Sequence, residues 1–524
     1  MVEAHRWAKK FQVKKNDIED LTTVFLETET PLTTRDIAVT FVEKRQAEEI
    51  DQVAKQFKNT KIYKPDQSYT VEQKLVFPQF DFAIGTVEDI RDGLNPDYGD
   101  FKVIAVKFED PALHEKSPLR EFASQLSSQH DINEFDDSIF LNAGMSEIDP
   151  QELVDDPDSG IIEIVEKALA DDGNLVKLGG HWFPFDLIIE VDISYLHLAE
   201  AVLDMYGGGP LTPEEILQQI GGLGDQNKTL QIFSMNFALD NDTRFDEVGP
   251  AGMVLWYLHR YEPKNVKTTP EDLIFKPVDF DRDYLTQSML DLEAEINDEY
   301  SYLPSNVKNG IAKLTLIYPH RRSGTLPLSN TTKDIFPAAQ TARIYIEFVD
   351  KQTGDVFPGW VVHEAGYVYG LWDYYTDNSL PIGTFIELEK GEKPGQIIIN
   401  NHAHRARTEW IRVLLIQGEQ IRFESLKRGI GTEYDDLMIV GVDNLEELDR
   451  IRNLYRKQNK GIQWILKTVI QALSSLSPQG TVHAKTIYSI VNIFQRCTPG
   501  LVFAVLEASP DFEDMGNHYW KISE

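Results

Sequence analysis

Two short runs in the second half of the chain carry the residue types that grip phosphates. His320-Arg321-Arg322 precedes an apolar stretch, and His402-Ala403-His404-Arg405-Ala406-Arg407 reads as a turn, with Arg412, Lys427 and Arg428 close behind. A guanidinium fork offers paired donors to phosphate oxygens and to the edge of guanine, which an ammonium matches less well. Gly324, beside Arg321 and Arg322, leaves room for backbone to approach a phosphate closely. Arg321, Arg322, Arg405, Arg407, Arg412, Lys427 and Arg428 are therefore the candidate nucleic-acid-binding residues. The competing reading pairs these cations with Glu409, Glu424, Asp435 and Asp436 in surface networks. Trp372, Tyr374 and Tyr375 are of types that stack on bases, although their spacing suits a core.

Catalytic chemistry finds weaker footing. Pro65-Asp66 with Glu72-Gln73-Lys74 matches a nuclease string by letter, but the gap is too short to place the acids on adjacent strands around a metal. His402 and His404 would need a third ligand to hold zinc, and none stands nearby. Gly207-Gly208-Gly209-Pro210 and Gly221-Gly222-Leu223-Gly224 lack the Lys-Ser/Thr that completes a phosphate loop. The single cysteine, Cys497, has no partner for a disulfide and no thiolate cluster to join. The expectation is a non-enzyme with no catalytic residue, no metal and no cofactor.

Charge divides the chain. The formal net charge of −34 opposes simple DNA binding, because phosphates repel a field of that sign. Residues 1–317 carry about −31 of it and residues 318–524 only about −3. Double-stranded DNA, if contacted, would meet the C-terminal part, and the acidic N-terminal modules would face a protein partner. No run of about 18 apolar residues marks a membrane span. Met1-Val2-Glu3-Ala4-His5-Arg6-Trp7 places charges where a secretion signal needs apolar residues, so a cytoplasmic location is expected.

The elements that would position these residues are heralded by a recurring phrase. Pro31-Leu32-Thr33-Thr34-Arg35-Asp36-Ile37 follows an apolar run, and Pro210-Leu211-Thr212-Pro213-Glu214-Glu215-Ile216 follows another. In both, one helix ends and a threonine caps the next, with an acid three residues on to return the capping bond. A looser third copy, Thr481-Val482-His483-Ala484, lacks that box. Hairpins follow the second and third copies, at 244–258 and 512–522, and a fourth hairpin-like ending is Leu175 to Phe183.

These motifs resemble the winged-helix domain shared by the RNA polymerase delta subunit, chromatin-associated proteins and restriction endonucleases. The resemblance implies winged-helix units at 15–67, 136–190, 191–263 and 461–524. The phrase Arg244-Phe245-Asp246-Glu247-Val248-Gly249-Pro250-Ala251-Gly252 is similar to one carried by long multi-module bacterial proteins, and brings no function with it. Strands at 69–128 predict a small β-barrel resembling Tudor-like barrels, and 264–310 reads as an acidic linker with one helix. There, Asp291, Glu293, Glu295, Asp298 and Glu299 read as a solvated helix face.

From 311 to 445 seven or more short strands predict a closed or nearly closed barrel. Its order of features resembles the DNA-binding pseudobarrel of plant transcription factors and restriction-enzyme effector domains. Thr325-Leu326-Pro327-Leu328-Ser329, Asp350 with Thr353-Gly354, and Gly370-Leu371-Trp372-Asp373 carry the likeness, while Thr384 replaces an acidic residue of that pattern. The expected fold class is thus α+β multidomain: winged-helix units, a small Tudor-like barrel and a larger pseudobarrel-like one. The expected function is a non-catalytic, nucleic-acid-associated regulatory or defence accessory protein touching DNA mainly through 311–460. The alternative is an acidic protein-interaction scaffold, for RNA polymerase or a defence effector, that does not bind nucleic acid directly.

Overall fold

The computed structural model describes residues 7–523 apart from 57–59, 81, 96–97, 111–112, 114–118, 128–130, 135–148, 302–306 and 339–340. Residues 1–6, and 136–148 of the expected 136–190 unit, therefore lie outside the described residues. The chain divides into two compact units, Met1–Ile188 and Ile189–Glu524.

The first unit opens with α1 (Lys15–Thr28), β1 (Leu32–Thr33) and α2 (Thr34–Gln56). The expected threonine cap is present: Asp36 N donates to Thr33 Oγ1 at 3.1 Å, and the Asp36 carboxylate is bonded by that hydroxyl, at 2.6 Å, where a full capping box would bond the backbone N–H. Leu21 and Phe25 of α1 and Ile37 and Phe41 of α2 are buried at helical spacing. Next come β2 (Lys61–Ile62), β3 (Lys74–Phe77), β4 (Ala83–Asp92), β5 (Lys102–Phe108) and β6 (Arg120–Ser124), in that order across one sheet. The exit from β6 returns to the start, with Gln125 N donating to Gln67 O and Leu126 N to Pro65 O. An aromatic core of Tyr63, Phe77, Phe108 and Phe122 fills the curve; the Phe77 and Phe122 rings lie 4.5 Å apart.

After α3 (Pro150–Asp155) and α4 (Ile161–Ala170), the strands β7 (Leu175–Leu178) and β8 (His181–Pro184) form a hairpin. β8 also pairs with β1, Leu32 opposite Trp182. The segments read as separate units at 15–67 and 136–190 thus share a single sheet, β1-β8-β7, with the five-stranded sheet inserted between their halves. Lys61–Ile62, at the end of the expected 15–67 unit, pairs with β3 in the inserted sheet. A two-residue strand carries no partner preference of its own, and the neighbouring β3 satisfies its backbone groups.

The second unit repeats that order of elements twice. α5 (Ile193–Met205), a bridge at Leu211, α6 (Pro213–Ile220), α7 (Lys228–Asp240), β9 (Phe245–Glu247) and β10 (Trp256–Leu258) form the first copy, in which Leu211 and β9 both pair with β10. Its capping box joins Thr212 and Glu215, as the spacing predicts. α8 (Lys264–Lys267) and α9 (Gln287–Ile296) follow.

The next sheet is built by β11 (Ala312–Thr315), α10 (Tyr318–Ser323), β12 (Thr325–Pro327), β13 (Arg343–Asp350), β14 (Val356–Val362), β15 (Tyr367–Tyr369), α11 (Trp372–Asp377), β16 (Phe385–Lys390) and β17 (Gln396–Asn400). Its seven strands run β11-β16-β17-β13-β14-β15-β12 and curl into a half-barrel around Ile346, Phe348, Val361, Val368, Tyr375 and Ile399.

The long hairpin of β18 (Arg407–Gln417) and β19 (Gln420–Ile430) was expected inside that barrel. It forms its own sheet with β20 (Val440–Val442), because β18 hands one edge to β19 and the other to β20. α12 (Leu445–Lys457) leads to the last copy: α13 (Ile462–Leu473), β21 (Val482–His483), α14 (Ala484–Phe494), α15 (Pro499–Ala508), β22 (Phe512–Asp514) and β23 (Tyr519–Ile522), in sheet order β21-β23-β22. Here the His483 side chain takes the capping role, accepting from Lys485 N.

Among the described residues no single helix is long and apolar enough to cross a membrane. α14 and α15 together have the length and composition, but they meet at 113° and are buried in the C-terminal core. Cys497 lies between them, fully buried, its thiol pushed up to about 12 by burial.

Within 264–310, the described helix and the turn after it are packed on one side rather than solvated all round. α9 buries Met289, Leu292 and Ile296, and three of the acids read as its exposed face turn inward. Glu293 is ion-paired with Arg282 at 2.7 Å, and Asp298 and Glu299 both meet Arg496 of the loop after α14, at 2.6 and 2.7 Å. The turn begins at Asn297, which caps α9 in the left-handed conformation (φ 50°) and redirects the chain. Buried carboxylates persist only with such partners.

Candidate functional site

The seven candidate cations fall into separate settings. Arg321 is spent on structure: its Nε donates to the Leu380 carbonyl at 2.7 Å, its guanidinium lies over the Tyr375 ring, and burial lowers its pKa. Arg322, its neighbour on α10, pairs with Asp449 at 3.1 Å. Arg412 is largely buried and donates to the carbonyls of Ile439 and Asp436, which ties β18 to the segment before β20. Arg428 pairs with Asp443 at 2.6 Å. The competing surface-network reading named other acids, yet four of these side chains are indeed held by neighbours. Gly324 serves an internal contact too: a Cβ there would lie 2.7 Å from the Trp372 backbone nitrogen, so the close approach it permits is to α11.

Arg405, Arg407 and Lys427 are exposed. Strand periodicity divides the two that lie on the hairpin. Trp410 sits opposite Lys427, whose ammonium is 5.1 Å from the centre of the indole. Arg407 sits opposite Ile430, an odd number of residues from Trp410, and so belongs to the other face. The seven cations do not gather on one surface. Trp410 itself is 65% exposed, whereas Tyr374 and Tyr375 are core residues, the latter donating to Thr325 O at 2.8 Å. His402 lies 2.8 Å from the Glu387 carboxylate, and His404 turns to the Arg405 carbonyl at 3.0 Å.

Sequence reasoning missed a second cluster. Asp246 of β9, with His259 and Glu262 beyond β10, have ligand-type atoms all within 4.8 Å of one another, the one such trio among the described residues. His259 Nδ1 lies 2.5 Å from Asp246, and Arg343 of β13 reaches Glu262 at 2.7 Å and Asp246 at 3.7 Å. The guanidinium therefore supplies the positive charge that the two acids need, and the cluster fastens the β9–β10 copy to the half-barrel. Only Asp246 was hinted at by sequence, inside the Arg244 to Gly252 phrase; the partner strand begins some hundred residues later.

Glu262 is buried, and burial, followed by its hydrogen bond with Asp246, raises its pKa from the ordinary 4.5 to about 7. Between those values the folded chain keeps a proton that the unfolded chain has released, so this group lowers stability as pH rises from about 4.5 to 7. Glu262→Gln, which mimics the protonated form, is expected to remove that loss, on the order of 3 kcal/mol. Denaturant unfolding at pH 5 and pH 8 measures it; a variant with the parent's pH slope refutes the assignment.

Comparison of the chain with protein-family models, with curated proteins and with solved structures finds no match in any of the three.

Proposed function

We propose that this chain is a non-catalytic docking scaffold, whose acidic modules engage a basic protein partner rather than nucleic acid. In this reading its three α-β-α-α-β-β copies are winged helices, the inserted sheet is a Tudor-like barrel and the half-barrel is of pseudobarrel type. A reducing compartment such as the cytoplasm suits its lone thiol.

One observation carries the proposal. In a winged helix that reads DNA, the third helix enters the major groove with a basic face. Here α4 bears Glu163 and Glu166 against Lys167 alone. α7 has Lys228 at its start and Asp240 at its end; between them no residue is charged, and from Leu230 to Leu239 all are buried or half-buried. α15 contains no cation and is buried on nearly every face. α4 and α7 thus offer one exposed lysine each and α15 none, too few cations for a basic face, and the net charge of −34 adds repulsion.

The second reading, direct DNA contact by residues 311–460, is favoured by the exposure of Arg405, Arg407 and Lys427 and of Trp410 beside Lys427. One experiment separates the two: fluorescence anisotropy of a labelled duplex titrated with the full chain at low salt. The scaffold reading expects no saturable binding, and a nuclease-resistant complex with a basic protein that salt dissociates. Saturable binding whose salt slope falls by roughly 2 to 3 in the Arg405→Ala, Arg407→Ala, Lys427→Ala triple variant would establish the second reading instead.

A further inference from the structure

A cavity of about 470 Å³ opens where α12 gives way to α13. In a chain with so many more acids than bases its lining is unusual: Lys276, Arg452, Arg456, Lys460 and Arg496 against Glu271 and Asp272. The acids are engaged, Asp272 with Arg452 and Glu271 with Arg456.

Two features give the cavity a polarity. Gly461, which lines it, is the N-cap of α13, a twelve-residue helix with no side-chain cap. The first N–H groups of such a helix lack intrahelical acceptors and carry the positive end of its dipole. Independently, Arg452 and Arg496 line the same space with side chains only 9% and 1% exposed, and the buried Nε of each has no hydrogen-bond partner among the described residues. A buried guanidinium donor left without an acceptor costs free energy, and the charge of two such groups beside the cavity favours an anion within it. Tyr455, Phe494, Ile465 and the half-exposed Ile274 add an apolar wall.

We propose that this cavity binds a small phosphorylated molecule of nucleotide size. Its phosphate lies at the start of α13 among the basic side chains, and its apolar part lies against Tyr455, Phe494 and Ile274. The volume falls within the range of small-molecule sites, roughly 300–1,000 Å³. The assignment stands apart from the docking function, since it concerns neither the third helices nor the hairpin.

Isothermal titration of the full chain with pyrophosphate, AMP and ATP in separate runs tests it. The expected result is saturable binding of at least one nucleotide, weakened about tenfold or more by Lys460→Glu and by Lys276→Glu. Both lysines lie away from the core, so these variants keep the fold, which circular dichroism verifies. Pyrophosphate binding as tightly as ATP would place recognition in the phosphates alone, and ATP binding more tightly would show the apolar wall at work. No saturation by any of the three, or binding unchanged in both variants, would overturn the proposal.

Discussion

Arg496→Met is expected to destabilise the second unit by about 3 to 5 kcal/mol, the cost of stripping the partner from buried charges. Arg496 is buried and bonds at once to Asp298, to Glu299, to the Asn492 side chain at 3.0 Å and to the Cys497 carbonyl. The opposing groups are as confined: Tyr488 donates to Asp298 at 2.5 Å, and His320, itself held by Thr325 at 2.9 Å, lies 3.2 Å from Glu299. Burial opposes ionisation of both acids. It prevails at Asp298, whose pKa is raised, whereas at Glu299 Arg496 and His320 overcome it and hold the carboxyl well below the usual range. Methionine fills similar volume but leaves Glu299 a buried anion without its main counter-charge. Calorimetric melting of the full chain reads the effect. The comparison variant is Arg422→Met, whose pair with Glu424 is about half exposed and worth at most about 1 kcal/mol. Equal losses in the two variants would mean that the buried network does not hold the unit together.

Residues 1–67 expressed alone are expected to stay unfolded, and so is a fragment of residues 136–188, while an equimolar mixture folds. The two segments complete one another. Trp182 donates from its indole N–H to Thr34 Oγ1 at 3.0 Å, Phe183 packs edge-on against Phe25 at 5.4 Å, and Arg35 grips both oxygens of Asp155 at 2.6 and 2.7 Å. Without β8, β1 has no pairing partner and the apolar faces of α1 and α2 lose the strand that covers them. Segments this short bury too little surface by themselves to offset chain entropy. Near-ultraviolet circular dichroism and amide-proton dispersion follow the mixing; a dispersed spectrum from 1–67 alone would show that it is an independent domain.

What the sequence made legible was local. The threonine–acid pairs at Thr33/Asp36 and Thr212/Glu215 depend on spacing within one turn; both threonines cap their helices, and the second pair closes the full box. Strands in the half-barrel and the hairpin were visible as alternating apolar runs, because each strand buries one face. Pairings between distant segments were not. Nothing at Leu32 announces Trp182, and nothing at Asp298 announces Arg496, since each partnership is made by chain reversal rather than by pattern. The candidate cations failed to converge for a related reason. Lys427 and Arg428 are neighbours in sequence, but on a strand neighbours point to opposite faces, so one stacks on Trp410 and the other pairs with Asp443. That is why DNA contact, the first expectation from the basic clusters and the family resemblances, becomes the second reading. Arg452 and Arg496 carried no such hint, separated as they are by 44 positions and joined only where the space beside α13 closes.

The seclusion of Cys497 gives this molecule a built-in clock. A thiol without solvent contact, and with almost no thiolate at neutral pH, is shielded from alkylating reagents while its surroundings stay closed. Since the chain has no other cysteine, every maleimide adduct records one opening of the C-terminal body, and the rate of modification reads out how often that happens.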